Sequence, residues 1–231
     1  AEVSLVAHAR PALVALAEAV ARQGKPRSSR TAELDQVRRT VANKLAEMEP
    51  QSSFSRVIRE EMPDDGIIVT DVTQMATFIQ YGMPVYQPRT IITPGFQATL
   101  GYAYPAALGA KIGNPDRKVL SISGDGGFMF TVQELSTAVA HNINVVAVVF
   151  NDNAFGNVKR VQRESFGGRY IASDLKNPDF PALARSFGML GLRVAKPEEL
   201  RGALREAFTA GGPALVEVTV NEEMPSIWKL L

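Results

Sequence analysis

The sequence predicts an α/β fold: a six-stranded, mostly parallel sheet with helices on both faces. Six short runs rich in valine and isoleucine alternate with stretches of helical spacing. The runs are nearly all apolar, which is typical of strands that are buried on both faces. Short connections join these elements, and strands and helices that alternate in this way form parallel sheets covered by helices on both sides.

The beginning of the chain does not follow this alternation. Residues 3–7 predict a short strand, and residues 11–22 predict an alanine-rich helix. A polar linker is expected at 25–31, and a second helix at 32–48, where apolar residues recur at helical spacing. Because one strand and one helix cannot bury their own apolar faces, we expect residues 1–24 to complete another domain.

From about residue 50 onwards the alternation is regular. The predicted strands are residues 66–71, 90–93, 118–123, 144–150, 190–195 and 214–220. The predicted helices are residues 53–61, 73–81, 99–112, 130–141, 179–187 and 197–209.

Composition excludes several classes of protein. The chain has 231 residues, of which 45% are hydrophobic, enough for one sizeable domain. A net charge of +1 without a basic run argues against nucleic-acid binding. The absence of cysteine excludes disulfides and thiolate metal sites. No apolar stretch approaches the ~18–20 residues of a membrane span, so we expect a cytoplasmic protein without a membrane partner.

One glycine-rich turn raises a question of charge. The stretch VLSISGDGGFMF, residues 119–130, is a strand that ends in three glycines with Asp125 among them. Glycine-rich turns after strands receive phosphate groups through backbone N–H groups and the start of a helix. A carboxylate and a phosphate at one place repel each other, so a third group is needed between them.

Asp152 suggests what that third group is. Ligands of open parallel sheets bind beyond the carboxyl ends of the strands, and Asp125 and Asp152 follow the two strands of one strand–helix–strand unit. Those strand ends lie ~5 Å apart if the strands are neighbours, or ~10 Å apart if one strand intervenes. Two carboxylates beside a phosphate-receptive turn predict a Mg²⁺ ion that bridges them to a diphosphate. Taken singly, each motif is also common in turns without a ligand.

Several motifs resemble a known family. GDG, a spacer of twenty-four residues and then NDN resembles the thiamine-diphosphate motif of the acetolactate synthase and 2-oxoacid decarboxylase superfamily. Residues 97–110, QATLGYAYPAALGA, are similar to the family's G-T-M-G-F-G-L-P-A-A-I-G-A stretch. Residues 128–152, SFGGRY at 165–170 and NPDFPALARSFG at 177–188 also resemble synthase sequences. The resemblance covers about residues 50 to 220.

The resemblance implies a thiamine-diphosphate-binding fold and a set of ligand contacts. Asp125 and Asp152 would bind Mg²⁺ through their side chains, and the Ala154 carbonyl would complete the protein ligands. Asp152 stands where the family usually has asparagine, which adds a negative charge. Leu100 would wedge the cofactor into a bent shape. The residues implied to contact the cofactor are Thr73, Gln74, Ala98, Leu100, Gly124, Gly126, Gly127, Asn153 and Phe155.

The resemblance also implies partners outside this chain. In the family, a glutamate from a separate pyrimidine-binding domain, of the same or another chain, activates the cofactor. We find no such domain here, so the catalytic residue stays unassigned and a homodimer or homotetramer is expected. The implied organisation is a remnant of a central domain at 1–24, a linker and helix at 25–49, and a diphosphate- and Mg²⁺-binding domain with a C-terminal tail at 50–231.

Two functions remain open at this point. The first is the C-terminal portion of a thiamine-diphosphate- and Mg²⁺-dependent enzyme that decarboxylates or ligates 2-oxoacids, with FAD possible in the full-length protein. The second is a cofactor-binding module or subunit without catalysis of its own. Val161 stands where the synthases have a tryptophan that helps to select the acceptor, which implies a roomier substrate pocket. Alternatively, Val161 only packs on its helix beside Val158.

Overall fold

A computed structural model of the chain describes residues 3–24, 28–220 and 224–227. The chain divides into two compact units, residues 1–42 and residues 43–231.

The described part of the first unit is mostly helical. It contains α1 (Ala9–Gln23) and most of α2 (Thr31–Ala46), and none of the described residues of either helix is buried. The strand predicted at 3–7 is wrong, because this segment has irregular structure. A short strand needs a neighbour for its backbone hydrogen bonds, and the described part of this unit offers none. Part of the predicted linker, residues 25–27, lies outside the described residues.

The second unit contains a six-stranded sheet, as predicted. Its strands are β1 (Ile67–Thr70), β2 (Ile91–Ile92), β3 (Val119–Gly124), β4 (Val146–Asn151), β5 (Leu190–Val194) and β6 (Ala214–Thr219). The strand order is β2-β1-β3-β4-β6-β5, and every described pairing between these six strands is parallel. β3 and β4 are direct neighbours, with Gly124 opposite Phe150. The turn that holds Asp125 and the loop that holds Asp152 therefore leave adjacent strands.

Helices cover both faces of the sheet, which confirms the predicted architecture. The helices of this unit are α3 (Gln51–Glu61), α4 (Gln74–Gly82), α5 (Ala103–Gly113), α6 (Asp125–Met129), α7 (Glu134–Ala140), α8 (Gly156–Ser165), α9 (Phe180–Ser186) and α10 (Pro197–Thr209). The core on one face joins α3, α4 and α10 to alternate strand residues such as Leu120 and Val148. The core on the other face joins α5, α7 and α9 to the intervening residues, such as Val119 and Val149. This double burial explains why the strands are apolar throughout.

Two predicted helices differ from the structure near the carboxyl ends of the strands. The helix predicted at 130–141 is wrong at its start: α6 begins at Asp125, and α7 begins only at Glu134. Between them the Thr131 hydroxyl donates to the Gly101 carbonyl at 3.1 Å, which ties the interruption to a neighbouring loop. The helix predicted at 99–112 begins later, at Ala103, because Gly101 adopts a left-handed φ of 80° that a right-handed helix cannot include.

The described helices include none with the length and apolar content that crossing a membrane requires.

Candidate functional site

A cavity of about 280 Å³ opens at the carboxyl ends of β1, β3 and β4. All but two of the site residues predicted from the sequence line it, and the exceptions are Asn153 and Val161. The predicted residues on its wall are Thr73, Gln74, Ala98, Leu100, Gly124, Asp125, Gly126, Gly127, Asp152, Ala154 and Phe155. The sheet topology thus brings together segments that are far apart in the sequence.

The glycine turn packs too closely for side chains. Gly124 is extended, and α6 begins at the next residue. A Cβ atom added to Gly126 would lie 2.5 Å from the ring of Phe155, and one added to Gly124 would lie 3.1 Å from the Thr73 methyl carbon. The absence of side chains lets the backbone of this turn form part of the cavity wall.

Asp125 and Asp152 form a pair of carboxylates on this wall. Asp125 is only 2% exposed. Its burial, together with the negative charge of Asp152, raises the pKa of Asp125 to about 6. Asp152 is exposed as a residue, but partial desolvation of its carboxylate raises its pKa, and its Oδ1 accepts the Ala154 N–H at 3.1 Å. A divalent cation between the two carboxylates would remove their repulsion.

The donor set of this pair suits a hard cation. It offers two carboxylates and backbone oxygen, the ligand chemistry that Mg²⁺ prefers. Within the part of the chain that the structure describes, no cluster of three or more histidine, cysteine or acidic side chains could hold a metal. The candidate metal ligands are Asp125 and Asp152, and the resemblance adds the carbonyl of Ala154, which also lines the cavity.

Asn177 joins this site although the sequence analysis assigned it no role. Its Nδ2 donates to Asp125 Oδ2 at 2.6 Å and to Asn151 Oδ1 at 2.9 Å. The same atom lies 3.4 Å from Asn153 Oδ1, so Asn153 contacts this polar cluster while remaining off the cavity wall. Asn177 precedes α9 and follows no strand, so the search at strand ends could not find it. The only sequence signal was its place at the start of the NPDF stretch.

Asp71 fixes the loop that carries Leu100. This carboxylate is 1% exposed and lies just after β1. Its Oδ2 accepts the Gly101 N–H at 2.9 Å and the Ala103 N–H at 3.5 Å, and its Oδ1 accepts the Val72 N–H at 2.8 Å. Burial raises the pKa of Asp71, and these backbone donors oppose that rise. Asp71 thus holds β1 and the 98–101 loop together at the cavity.

Thr73 and Gln74 follow β1 in the sequence, and both have structural as well as cavity-lining positions. The Thr73 hydroxyl caps the start of α4 by accepting the Ala76 N–H at 2.9 Å. Gln74 begins that helix and lines the cavity. The sequence analysis missed Asn157, Val158, Val220 and Met224, which also line it.

Val161 lies on α8, one turn after the part of the helix that reaches the cavity. It is 37% exposed and does not line the cavity, whereas Val158 does. Arg160 donates to Asn157 Oδ1 at 2.8 Å and pairs with Glu164 at 2.8 Å. The substrate-selecting role of Val161 remains a prediction.

The raised pKa of Asp125 predicts a pH-dependent metal affinity. The folded-state pKa of about 6 lies above the ordinary value of 3.8, so the metal-free chain loses stability as the pH rises through about 6. A Mg²⁺ ion held by this pair would bind the ionised carboxylate, so its affinity should fall roughly tenfold for each pH unit below about 6. Thermal unfolding with and without saturating Mg²⁺ across this range measures the effect.

Asp125→Asn is the control for that pH series. Since an amide does not titrate, the variant should lose most of the pH dependence of the Mg²⁺-induced shift. An Mg²⁺-induced shift of equal size at about pH 5 and about pH 8 in the wild-type chain would contradict the assignment.

The sequence matches a family profile over most of the second unit. The profile described as "Thiamine pyrophosphate enzyme, C-terminal TPP binding domain" matches residues 71–218. The chain is 36% identical over 156 residues to the probable acetolactate synthase large subunit of Methanococcus aeolicus, which covers 67% of this chain and 26% of that protein. It is 41% identical over 138 residues to the mitochondrial acetolactate synthase catalytic subunit of Aspergillus candidus, which covers 60% of this chain and 20% of that protein.

Solved structures show the same fold. The thiamine diphosphate-dependent 4-hydroxybenzoylformate decarboxylase of Rhodococcus jostii RHA1 superposes with a TM-score of 0.69 and 29% identity, covering 76% of this chain and 33% of that one. The benzoylformate decarboxylase of Polynucleobacter necessarius gives a TM-score of 0.69 and 26% identity, covering 78% of this chain and 34% of that one. This chain spans about a quarter of the length of the synthases and about a third of the decarboxylases.

Proposed function

We propose a function from one premise: this chain belongs to the thiamine pyrophosphate enzyme family, whose C-terminal TPP-binding domain it contains. The proposal is that the cavity binds thiamine diphosphate through Mg²⁺, as part of an enzyme that cleaves or forms carbon–carbon bonds next to the carbonyl of a 2-oxoacid. The observation that carries it is the pairing of Asp125 and Asp152 beside a glycine turn on the wall of one cavity.

Each wall of the cavity has a part in this proposal. Asp125, Asp152 and the Ala154 carbonyl would hold Mg²⁺, and Gly126 and Gly127 would face the diphosphate. Thr73, Gln74 and the backbone of Gly124 and Phe155 would border the same end of the cofactor, with Asn153 behind this wall, while Ala98 and Leu100 would contact the pyrimidine end. When bound, thiamine diphosphate supplies the electron sink for breaking a bond next to a carbonyl. FAD, which the resemblance allows in a longer protein, would be held by residues outside this cavity.

The lining of the cavity supports the need for a partner domain. Among its described lining residues, Asp125 and Asp152 are the ionisable ones, and both are proposed as metal ligands. No described lining side chain is left to move a proton on the pyrimidine ring. We therefore propose that a pyrimidine-binding domain, of the same or another chain, supplies a glutamate, and that the active unit is a homodimer or homotetramer.

Turnover of 2-oxoacids tests this function. The purified 231-residue chain with thiamine diphosphate and Mg²⁺ should release little or no CO₂ from pyruvate, because it lacks the activating acid. The full-length protein should release CO₂ and form acetoin-type or acetolactate-type products. Appreciable decarboxylation by the 231-residue chain alone would show that the missing-acid argument is wrong. Cofactor binding without turnover in the full-length protein would favour the alternative, a binding module without catalysis.

Val161 is proposed to influence the choice of acceptor. With valine in place of the synthases' tryptophan, the full-length protein should prefer 2-oxobutyrate over pyruvate only weakly. Val161→Trp should raise that preference, since large apolar contacts discriminate acceptors that differ by a methylene by ~1–3 kcal/mol. Val139→Trp is a matched control, because Val139 lies on α7 with a similar exposure of 38% and does not line the cavity. A strong wild-type preference that Val161→Trp leaves unchanged would contradict this role.

A further inference from the structure

We propose that Asn177 is a positioning residue for Asp125, and that the buried carboxylate of Glu217, together with the Asn153 backbone N–H, sets the direction of the Asn177 amide through Asn151. This inference rests on the proposed function, because it assigns the role of metal ligand to Asp125. It adds Asn177 and Glu217, which lie outside the GDG and NDN motifs and do not line the cavity, and it gives Asn151 of the NDN motif a role that the motif alone does not assign.

A continuous chain of hydrogen bonds connects these residues. Glu217 in β6 is 3% exposed, and its Oε1 accepts from Asn151 Nδ2 at 2.7 Å. Asn151 at the end of β4 is 6% exposed, and its Oδ1 accepts from Asn177 Nδ2 at 2.9 Å. The same Nδ2 donates to Asp125 Oδ2 at 2.6 Å. The strand order, with β6 beside β4 and β4 beside β3, places these groups in a row.

The direction of the bonds in this series follows from the Glu217 carboxylate and from the Asn153 backbone N–H, which donates to Asn151 Oδ1 at 3.1 Å. An ionised carboxylate only accepts hydrogen bonds, whereas an amide presents NH₂ on one side and oxygen on the other. Glu217 therefore orients the NH₂ group of Asn151 towards itself, and the Asn151 oxygen faces Asn177. Asn177 must then present its NH₂ group, and the second N–H of that group reaches Asp125. A reversed Asn177 amide would place its oxygen against the carboxylate of Asp125, which is unfavourable.

Arg193 holds Glu217 from the opposite side. Its Nε donates to Glu217 Oε2 at 2.8 Å, and the two residues are opposite each other on β5 and β6. Its guanidinium also pairs with Asp179 Oδ1 at 3.1 Å. Asp179 lies two residues after Asn177 and caps α9 by accepting the Ala182 N–H at 2.9 Å. Asn177 is thus held by its amide contacts, and the Asp179 cap of α9, which does not require Arg193, anchors the segment that follows it.

This arrangement fixes the carboxylate of Asp125 before any ligand arrives. The bond to Oδ2 limits rotation of the carboxylate and leaves its remaining lone pairs for a cation. Partners of this kind typically change metal affinity 10–100-fold when they are removed. Glu217 lies at the far end of this series of hydrogen bonds. Its substitution is expected to change metal affinity only through the direction of the Asn151 and Asn177 amides.

Glu217→Gln tests this direction directly. Arg193 can only donate, so it should bind the one oxygen of the introduced amide and turn the new NH₂ group towards Asn151. The Asn151 NH₂ group then faces another NH₂ group and loses its acceptor, which interrupts the series of hydrogen bonds. We expect thiamine diphosphate, titrated calorimetrically in the presence of Mg²⁺, to bind about tenfold more weakly, and about 10–100-fold more weakly in Asn177→Leu.

A second substitution separates hydrogen-bond direction from stability. Adding Arg193→Met to Glu217→Gln frees the introduced amide to turn its oxygen towards Asn151, so affinity should recover towards that of the wild-type chain. Glu61→Gln is the matched control: Glu61 is 11% exposed and held by Arg201 and Arg205 on a surface of α3 and α10. It should lower the unfolding temperature without changing cofactor affinity.

Each result has a defined meaning. Glu217→Gln with wild-type affinity, or with a loss that Arg193→Met does not relieve, overturns the inference while the proposed function stands. Asn177→Leu with wild-type affinity overturns the positioning role. A wild-type chain without Mg²⁺-dependent binding overturns the proposed function and this inference with it. Glu217→Gln keeps the size of the side chain and Asn177 is partly exposed, so both variants are expected to fold.

Discussion

Asp125→Ala is expected to abolish Mg²⁺-dependent binding of thiamine diphosphate. Asp125 is buried at the end of β3, and its carboxylate is proposed as a metal ligand beside Asp152. The substitution removes that ligand. Asp152 would then be the only aspartate left to hold the cation that neutralises the diphosphate. Loss of partners outside the coordination sphere costs about 10–100-fold in metal affinity, so loss of a ligand should cost more than about a hundredfold.

Asp152→Asn is the control for this prediction, because it should be far milder. An amide oxygen still binds Mg²⁺, and the family usually has asparagine at this position. The substitution also removes the negative charge that helps to raise the pKa of Asp125, so the pKa of Asp125 should fall. Calorimetric titration of all three proteins compares them. Equal binding by the wild-type chain and Asp125→Ala would refute the site assignment.

Asp71→Asn is expected to destabilise the fold and to weaken cofactor binding together. Both carboxylate oxygens of Asp71 accept backbone N–H groups, from Val72 on one side and from Gly101 and Ala103 on the other. An asparagine must turn its NH₂ group towards one of these sets of donors. A buried N–H group without an acceptor costs about 1–3 kcal/mol, so the free energy of unfolding should fall by about 2–3 kcal/mol. The loop that carries Leu100 should loosen with it.

Asp65→Asn provides the comparison for Asp71→Asn. Asp65 is 52% exposed and lies 3.8 Å from Arg117, so its loss should change the free energy of unfolding by less than about 1 kcal/mol. Urea unfolding of the two variants, with cofactor titrations on each, measures both effects. If Asp71→Asn unfolds like Asp65→Asn and binds the cofactor like the wild-type chain, then Asp71 does not hold this loop.

The sheet could be predicted because each strand has the apolar sequence that burial on both faces requires. Leu120 faces one core and Val119 the other, so a strand between two helical layers is apolar at every position. The place of Asp125 and Asp152 could be predicted as well, because parallel strands end on one edge of the sheet. The distance between Asp125 and Asp152 could not be predicted, because it depends on whether their two strands are neighbours. Strand order is decided by the pairing of all the strands in the fold.

What the sequence did not predict depends on contacts between distant segments. The interruption before α7 depends on Thr131 reaching the Gly101 carbonyl, a contact that helical periodicity cannot reveal. Asp71 was predicted only as the last residue of the strand at 66–71, although its burial makes it the anchor of a loop about thirty residues away. Asn177 and Glu217 connect to Asp125 through side-chain hydrogen bonds between segments that are far apart in the sequence, and neither residue follows from spacing.

The central claim is that this cavity binds thiamine diphosphate through a divalent cation held by Asp125 and Asp152. The most direct test is calorimetric titration of thiamine diphosphate into the wild-type chain, once with Mg²⁺ and once with EDTA. Saturable binding at one site per chain with Mg²⁺, lost in EDTA and regained when Mg²⁺ is restored in excess, is the expected result. No binding in Mg²⁺, or binding of equal strength in EDTA, would contradict the claim.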